Sequence, residues 1–264
     1  MSNKKTGRRK SRGKRKNNSD PTIVNKGDFI LIDYIGEVRD TGEIFDTTLE
    51  DKAKEAGIYR ENDRYGPTLV IVGENWVIEG LDESLVGRRE GEEFTVEIPP
   101  EKGFGTRDSK KIITTTIKKL RRAGYEGDIS PGTIINVEGR PAIIRAVAGG
   151  RVMLDFNPPL AGKVLKYWVK IEKILKDREE KIKSLIERHV GEKVSDLAFS
   201  EKDGEVIIEL NDIAINDPRI HLEKRNIGED IIKYVEGVKV VTFVDRIVKK
   251  ETSEEISQGE PQQE

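Results

Sequence analysis

Apolar residues change from strand-like to helix-like spacing between residues 69 and 87, and the rest of the chain is organised around this stretch. The apolar run Leu69–Val72 is typical of a buried strand. Beyond it, apolar residues recur at intervals of three and four positions: Val77 or Ile78, then Leu81, then Leu85. This spacing predicts one short helix directly after a strand.

Polar and glycine residues mark the ends of this predicted helix. Glu74 or Asn75 is expected to cap its first turn, and Gly87 is expected to end it. Phe94–Ile98 then alternates between apolar and polar residues, which predicts a half-buried strand. A single short helix between strands suggests a sheet curled around it, with the apolar side of the helix as the floor of a small pocket.

Two further strands are predicted before this stretch. Gly27–Val38 has apolar residues on both faces at its start, and a turn signal at Asp40–Gly42 separates it from the shorter strand Glu43–Thr48. Leu49–Pro67 interrupts the strand pattern with a short helix over residues 50–56.

Residues 106–155 have the character of a small all-β module. A β-branched run predicts a strand at Ile112–Ile117, and three short strands follow at residues 133–137, 142–147 and 152–155. Glu138–Arg140 and Gly149–Gly150 are hairpin signals between them.

The alternating segment Leu165–Glu172 is predicted to return to the first domain, which would make the β module an insertion. The remainder, residues 177–249, reads as a second, α+β domain. Its predicted elements are a helix at Asp177–Val190, a strand at Glu205–Leu210, a helix at Asp230–Val235 and a strand at Val238–Val248. The segment Asp217–His221 is read as a loop.

Composition limits the chemistry that the chain can perform. Its 264 residues include no cysteine and only two histidines, so disulfides, thiolate metal sites and His-based triads are not expected. No apolar run reaches the ~18 residues of a membrane span, and the basic N-terminus lacks the apolar core of a secretory signal. A cytoplasmic protein without cofactor or metal is expected.

The net charge of −2 conceals a basic N-terminal arm. Residues 1–19 carry nine Lys and Arg residues and no acidic residue before Asp20, so residues 1–20 are expected to be disordered. The arm fits electrostatic contact with RNA, the ribosome or DNA phosphates, and it equally fits a solubilising tail. The polar C-terminal residues 250–264 are also expected to be disordered.

Other candidate motifs do not define a catalytic site. Asp33, Asp46, Asp82 and Glu83 have no spacing that fixes a carboxylate pair. His189 lies on the apolar stripe of a predicted helix and is expected to be a semi-buried structural residue.

Five motifs agree in order and spacing with one known family. They are D-Y-I-G at Asp33–Gly36, I-F-D-T-T at Ile44–Thr48, the Val72–Gly87 stretch, G-F-G at Gly103–Gly105 and L-K-Y-W-V-K-I at Leu165–Ile171. This set resembles the FK506-binding-protein family of peptidyl-prolyl cis-trans isomerases. The β module after G-F-G resembles the insert-in-flap chaperone domain of the SlyD-like branch, and the C-terminal domain resembles the long archaeal members.

The resemblance implies a set of site residues. They are Tyr34, Phe45, Asp46, Val77, Ile78, Leu81, Phe104 and Tyr167. Leu81 stands where the family often has a tryptophan floor, as in the SlyD branch. Phe104 replaces a flap tyrosine and has no hydroxyl to offer the substrate carbonyl. The arginine that often accompanies the pocket aspartate has no clear counterpart in this sequence.

The resemblance also implies an α+β fold in which an antiparallel half-barrel sheet wraps on a short helix. The isomerase domain is then expected at residues 21–105 and 156–175, the inserted β domain at 106–155 and the C-terminal domain at 177–249. The C-terminal domain is marginal in size by itself, so docking or homodimerisation is expected to help cover its apolar faces.

The expected activity is isomerisation of X-Pro bonds in unfolded or nascent chains, with a holdase function from the inserted domain. An apolar pocket favours the twisted amide, which is less polar than the planar one. The alternative is a non-enzymatic chaperone or binding module that the arm tethers to the ribosome or nucleic acid.

Overall fold

A computed structural model of the chain describes residues 23–191 and 197–246, apart from the side chains of Asp212 and Ile213. The expected basic arm and polar tail lie outside these residues. Within them the strands are β1 (Phe29–Val38), β2 (Ile44–Thr47), β3 (Thr68–Ile71), β4 (Glu93–Ile98), β5 (Ile112–Thr116), β6 (Ile134–Val137), β7 (Arg140–Ala148), β8 (Arg151–Asp155), β9 (Leu165–Leu175), β10 (Ala198–Lys202), β11 (Glu205–Leu210) and β12 (Val240–Asp245). The α-helices are α1 (Glu50–Glu55), α2 (Glu79–Leu85), α3 (Ile117–Arg122), α4 (Arg178–Val190), α5 (Asp212–Asn216) and α6 (Pro218–Tyr234).

The first sheet is antiparallel and has the strand order β2-β1-β9-β4, with β3 also paired to β1. Helix α2 packs closely on this sheet. A methyl group added at Gly80 would lie 2.6 Å from the Cγ2 atom of Ile98 on β4. The helix and the sheet therefore share one apolar core, which includes Ile30, Ile32, Leu81, Leu85, Ile98, Val169 and Ile171.

Strand β1 is covered on both faces, which explains its two-sided apolar pattern. Ile30 and Ile32 face the core that contains α2. Phe29 belongs to a different core, which also contains Leu175 at the end of β9. The C-terminal residues supply most of this second core, so the C-terminal part of the chain packs directly against the first sheet.

The second sheet has the order β5-β8-β7-β6, and its strands come from residues between β4 and β9. Two tight turns connect β6 to β7 and β7 to β8. Both residues of the first turn, Glu138 and Gly139, have positive φ angles, and so do Gly149 and Gly150 in the second. The core of this sheet consists of Leu120, Ile135, Ala142, Ile144, Val152 and Leu154.

The third sheet has the order β10-β11-β12, in which β11 and β12 run parallel. Helices α4 and α6 pack together beside it, and their buried residues include Ile182, Leu185, Ile186, Ile220, Ile227 and Ile231. The predicted helix at residues 177–190 and strand at 205–210 are confirmed.

Expectations about two helices, α2 and α6, are wrong. Helix α2 begins at Glu79 with Ile78 as its N-cap, so neither Glu74 nor Asn75 caps it, and Val77 and Ile78 precede the helix. Helix α6 begins at Pro218 rather than Asp230, and His221 lies within it. Its start follows from Asp217, whose carboxylate accepts the Arg219 N–H, and from a proline at the first helical position.

Helix α3 and strand β10 were not predicted. Four of the six residues of α3 are Lys or Arg and only Leu120 is buried, and β10 has a single partly buried residue, Phe199, so neither shows an apolar period. The fold class is α+β, with several antiparallel sheets and few helices among the described residues. No helix in that part of the chain combines the length and apolarity that crossing a membrane requires.

Candidate active site

Hydrogen bonds to β2 and the residue after it fix the backbone of Tyr34 on β1. The Tyr34 N–H donates to Thr48 Oγ1 at 2.9 Å, and the Thr47 hydroxyl donates to the Tyr34 carbonyl at 2.8 Å. Thr48 Oγ1 also donates to the buried carboxylate of Asp33 at 2.7 Å. The adjacent threonines of the I-F-D-T-T motif therefore hold Tyr34 in place.

The side chains of Tyr34 and Asp46 form a pair across β1 and β2. The Tyr34 hydroxyl donates to Asp46 Oδ2 at 2.9 Å. Asp46 itself is exposed, whereas the Tyr34 ring is half-buried. The carboxylate therefore orients the phenol from the solvent side.

Four aromatic rings contact one another in a row, and we call the site that they form with their neighbours the aromatic pocket. Ring centroids lie 5.8 Å apart for Tyr34 and Tyr167, 5.8 Å for Phe45 and Tyr167, and 6.1 Å for Phe45 and Phe104. The last two pairs meet edge to face, which is a favoured aromatic geometry.

Leu81, Val77 and Ile78 complete the aromatic pocket. Leu81, on α2, is buried in the same core as Tyr167. Val77 and Ile78 are half-buried and pack against that core from the segment just before α2. The eight residues predicted from the sequence thus lie in one connected group.

Residues 73–76 form a turn that leads into the pocket, and we call it the entrance turn. The carboxylate of Asp82 accepts the backbone N–H of Gly73 at 2.9 Å and that of Asn75 at 3.0 Å. Asn75 has a φ of +55°, a left-handed conformation that asparagine tolerates better than most residues. Asp82 therefore shapes the turn and is not free for acid–base chemistry.

Burial raises the pKa of both pocket tyrosines above the usual value of 10.0, and the nearby Asp46 carboxylate adds to the effect. Both hydroxyls consequently keep their protons at physiological pH. Burial also raises the pKa of Asp33. A wall of neutral rings with one peripheral carboxylate can supply an apolar environment, and it does not form a nucleophile–base pair.

A cleft of about 380 Å³ adjoins the pocket and shares Phe45 and Asp46 with it. Its far side is formed by the segment after α1, where the rings of Tyr59 and Tyr65 stack 5.3 Å apart. The segment between β2 and β3 thus adds a cleft beside the eight predicted residues.

The two histidines lie outside the aromatic pocket. His189 on α4 lies between Glu223 and Asp230 at 3.0 and 2.8 Å, a structural bridge between α4 and α6. His221 bonds the Ile215 carbonyl at 2.8 Å. Within the described residues no group of His, Asp or Glu side chains is arranged to hold a metal ion.

Sequence reasoning missed Gly36 and Trp76. A methyl group at Gly36 would lie 2.9 Å from Tyr167 Cε1 and 3.0 Å from Phe45 Cζ, so only glycine allows these rings to approach β1. Gly36 is the last residue of the D-Y-I-G motif, and that glycine was the available signal. Trp76 contacts residues that are distant in sequence, so no local pattern could reveal its role.

Comparisons with known proteins agree on one family. The sequence model of the protein family described as "FKBP-type peptidyl-prolyl cis-trans isomerase" matches residues 20–120. A second family model, described as "FKBP26_C-terminal", matches residues 178–248. The short-type peptidyl-prolyl cis-trans isomerase of Methanocaldococcus jannaschii is 42% identical over 152 residues, which cover 58% of this chain and 94% of the relative.

Two further matches are more distant. The FKBP-type peptidyl-prolyl cis-trans isomerase SlyD of Treponema pallidum is 28% identical over 156 residues, which cover 56% of this chain and 77% of that protein. The crystal structure of the three FKBP domains of wheat FKBP73 matches with a TM-score of 0.32 and 18% identity, over 60% of this chain and 43% of that chain.

Proposed function

Because this chain belongs to the FKBP-type peptidyl-prolyl cis-trans isomerase family, we propose that the aromatic pocket is where it isomerises X-Pro bonds in protein chains. The observation that carries this assignment is the unbroken ring contact from Tyr34 through Tyr167 and Phe45 to Phe104. The half-barrel arrangement belongs to this proposal, with the first sheet wrapped on α2 and Leu81 beneath the prolyl ring.

The reaction requires little from acids or bases. Rotation about a peptide bond has a barrier of about 18–20 kcal/mol, and a thousandfold acceleration needs only about 4 kcal/mol of that barrier. The amide loses resonance as it twists and becomes less polar. A pocket of neutral rings therefore stabilises the twisted amide more than the planar one.

Tyr34 and Asp46 orient the substrate in this proposal. The Tyr34 hydroxyl donates to Asp46, which fixes the ring, and the exposed carboxylate stands beside it where a bound chain would pass. Phe104 contributes only its apolar ring, which is 40% exposed at the rim. The pocket thus acts through its shape and by excluding water, with the carboxylate of Asp46 as a single charge at its border.

A prolyl-peptide assay with a fluorescent or chromogenic tetrapeptide tests the assignment. The double variant Tyr34→Ala with Phe104→Ala opens the ring wall to water, and we expect its kcat/KM to fall about tenfold to a hundredfold. Leu222→Ala, an exposed apolar residue on α6, is the control and should keep the wild-type rate. An unchanged rate in the double variant rules out this pocket as the site.

We propose further that residues 106–155 act as an inserted domain that holds unfolded chains. Ile134 on β6 and Met153 on β8 are 65% and 40% exposed. Strand alternation and register place both on the face opposite the core of the second sheet. Exposed apolar side chains on one face are the physical signature of a surface that binds other chains.

An aggregation assay with a chemically unfolded client tests the holdase activity. Ile134→Ser combined with Met153→Ser should reduce suppression of aggregation and leave the tetrapeptide kcat/KM unchanged, because neither residue contacts the aromatic pocket. Leu222→Ser, which removes an apolar side chain with 78% exposure from α6, is the matched control. Equal loss in both variants would contradict a specific role for the second sheet.

A further inference from the structure

Trp76 lies where two apolar cores meet. Its half-buried indole packs against the core that contains α2 and the aromatic pocket, and also against the core that α4 and α6 form with the edge of the first sheet. Its ring meets that of Tyr234, the last residue of α6, at 5.5 Å in an edge-to-face contact. Trp76 thus joins the C-terminal part of the chain to the entrance turn.

Polar contacts reinforce this junction. The Trp76 indole Nε1–H donates to the Tyr234 hydroxyl oxygen at 3.3 Å. The guanidinium of Arg188, near the end of α4, stacks 4.2 Å from the indole centroid and donates to the carbonyl of Leu69 at 3.2 Å. Residues from both C-terminal helices therefore enclose one side chain of the entrance turn.

A second pair of contacts reaches the same turn through Glu74. Lys233 Nζ lies 3.0 Å from Glu74 Oε2, and the Tyr234 hydroxyl donates to the same oxygen at 3.3 Å. The carboxylate of Asp82 on α2 accepts two backbone N–H groups of the same turn. The entrance turn is held between α2 and α6.

Val77 and Ile78 follow Trp76 directly in the chain. Helix α2 starts only at Glu79, and its N-cap Ile78 provides no side-chain hydrogen bond to the first turn. The two pocket residues therefore lie outside the regular helix, in a short segment fixed by its neighbours. A shift of the entrance turn would move them with respect to the rings.

We propose that the C-terminal domain positions the Val77–Ile78 edge of the aromatic pocket, with Tyr234 and Arg188 as positioning residues that act through Trp76. This inference rests on the proposed function, since it assigns a role in the same reaction. The C-terminal domain thereby contributes to catalysis, although it is far in sequence from the pocket residues.

A different result would be expected if the C-terminal domain only docked onto the first sheet. Phe29, Leu69, Ile71 and Leu175 of the first sheet already share a core with α4, and this apolar contact does not involve Trp76's hydrogen bond. Removing the Tyr234 contact should therefore leave the parts docked while loosening the entrance turn. A positioning role and a docking role are separable by experiment.

The test uses the full chain with Tyr234→Leu, which keeps an apolar side chain but loses the aromatic edge and the hydroxyl. We expect kcat/KM for a prolyl tetrapeptide to fall about threefold to tenfold, with little change in melting temperature. The amides of Gly73 and Asn75 should exchange with deuterium faster. Tyr234→Phe, which restores the ring contact, should recover most of the rate.

Phe199→Leu is the matched control, because Phe199 packs against the same core from β10. Its rate and its exchange at Gly73 and Asn75 should remain at wild-type values. The proposal is overturned if Tyr234→Leu keeps the wild-type rate, or if Phe199→Leu loses as much. Should Tyr234→Leu fail to fold, Arg188→Met carries the test, because it keeps an unbranched apolar stem but removes the guanidinium from the Trp76 ring and from the Leu69 carbonyl. A lower rate with faster exchange at Gly73 and Asn75 supports positioning, and wild-type values of both contradict it.

Failure of the proposed function would give a different experimental result from failure of the positioning role. A wild-type chain without isomerase activity would overturn the function, yet amide exchange at Gly73 and Asn75 would still report whether Tyr234 holds the entrance turn. An active wild type with no response to Tyr234→Leu overturns only the positioning role.

Discussion

Gly36 controls how closely the pocket rings approach β1. The site of its missing side chain lies 2.9 Å from Tyr167 Cε1 and 3.0 Å from Phe45 Cζ, distances that leave no room for a methyl group. Both rings also meet other pocket residues, so neither can move without opening the wall. One backbone position thus sets the geometry of two of the four rings.

We predict that Gly36→Ala lowers kcat/KM by about tenfold, because the added methyl group displaces the Tyr167 and Phe45 rings. A tetrapeptide assay measures the loss. Gly228→Ala on α6 is the control, since a methyl group there meets only Val241 at an ordinary 3.7 Å and alanine favours a helix. A Gly36→Ala variant with the wild-type rate would show that the rings need not pack this tightly.

The sequence could predict which residue types line the pocket, since they fall within motifs that keep their order. It could not predict the helix start beside Val77 and Ile78. The carboxylate of Asp82 draws the N–H groups of Gly73 and Asn75 into a turn, so Glu74 and Asn75 are unable to cap α2. These hydrogen bonds join residues that are seven and nine positions apart, so the spacing of apolar residues around the helix start does not reveal them.

At the scale of elements, Asp155 fastens the second sheet where the chain enters and leaves it. Its side chain is fully buried, and its Oδ2 accepts hydrogen bonds from Arg107 at 2.6 Å and Arg145 at 2.9 Å. Its Oδ1 accepts two more from Asn157, at 2.9 and 2.7 Å. Arg107 and Asn157 lie in the two segments that connect this sheet to the first one.

Burial by itself would raise the pKa of Asp155, but the hydrogen bonds from Asn157, Arg145 and Arg107 outweigh it and hold the pKa well below the usual 3.8. A pKa that is lowered in the folded state contributes stability above the unfolded pKa. That contribution is lost as the pH falls from about 4 through the lower folded value.

We predict that Asp155→Asn destabilises the second sheet by about 2 kcal/mol at neutral pH, because charge-assisted hydrogen bonds are lost. Amide exchange of β7 and β8 measures the local stability. The difference from wild type should shrink as the pH falls below about 4, where Asp155 of the unfolded wild-type sheet begins to take up a proton while the folded carboxylate stays ionised. Asp128→Asn, at an exposed loop carboxylate, should show neither effect. A difference that stays constant with pH would contradict the account.

Elements with local signals were predicted well, and those with distant causes were not. The hairpins of the second sheet follow from glycines that adopt positive φ at Gly139 and Gly150. The early start of α6 carried a signal too, the Asp-Pro pair at Asp217, which is as typical of a helix start as of a turn. Which one forms depends on whether Ile220 finds a core to enter, and that core is built by the rest of the domain.

At the scale of the whole molecule, the two-sided apolar pattern of β1 anticipates a sheet covered on both faces. What covers the second face could not be inferred, because α4 and α6 present amphipathic stripes that would fit a partner chain equally well. The structure shows that they cover the first sheet of the same chain and reach the entrance turn.

Positive and negative charges are separated along the chain. The first 19 residues carry nine cationic side chains, while the whole chain has a net charge of −2, so the remainder is clearly acidic. An acidic body repels nucleic acid, and attachment to RNA would have to come from the arm. The arm has no aromatic residue for base stacking, so its contacts would be with phosphates and independent of RNA sequence.

We predict that the full chain binds single-stranded RNA with a log–log salt slope of about −0.7 for each phosphate that the arm neutralises. Removing residues 1–19 should abolish this binding and leave the tetrapeptide rate unchanged, because every residue of the aromatic pocket lies beyond the arm. A chain with the same arm residues in shuffled order should bind as tightly as wild type, since charge alone is read. Equal RNA affinity with and without the arm would leave it a solubilising tail, and a loss on shuffling would mean that the arm recognises its partner by sequence.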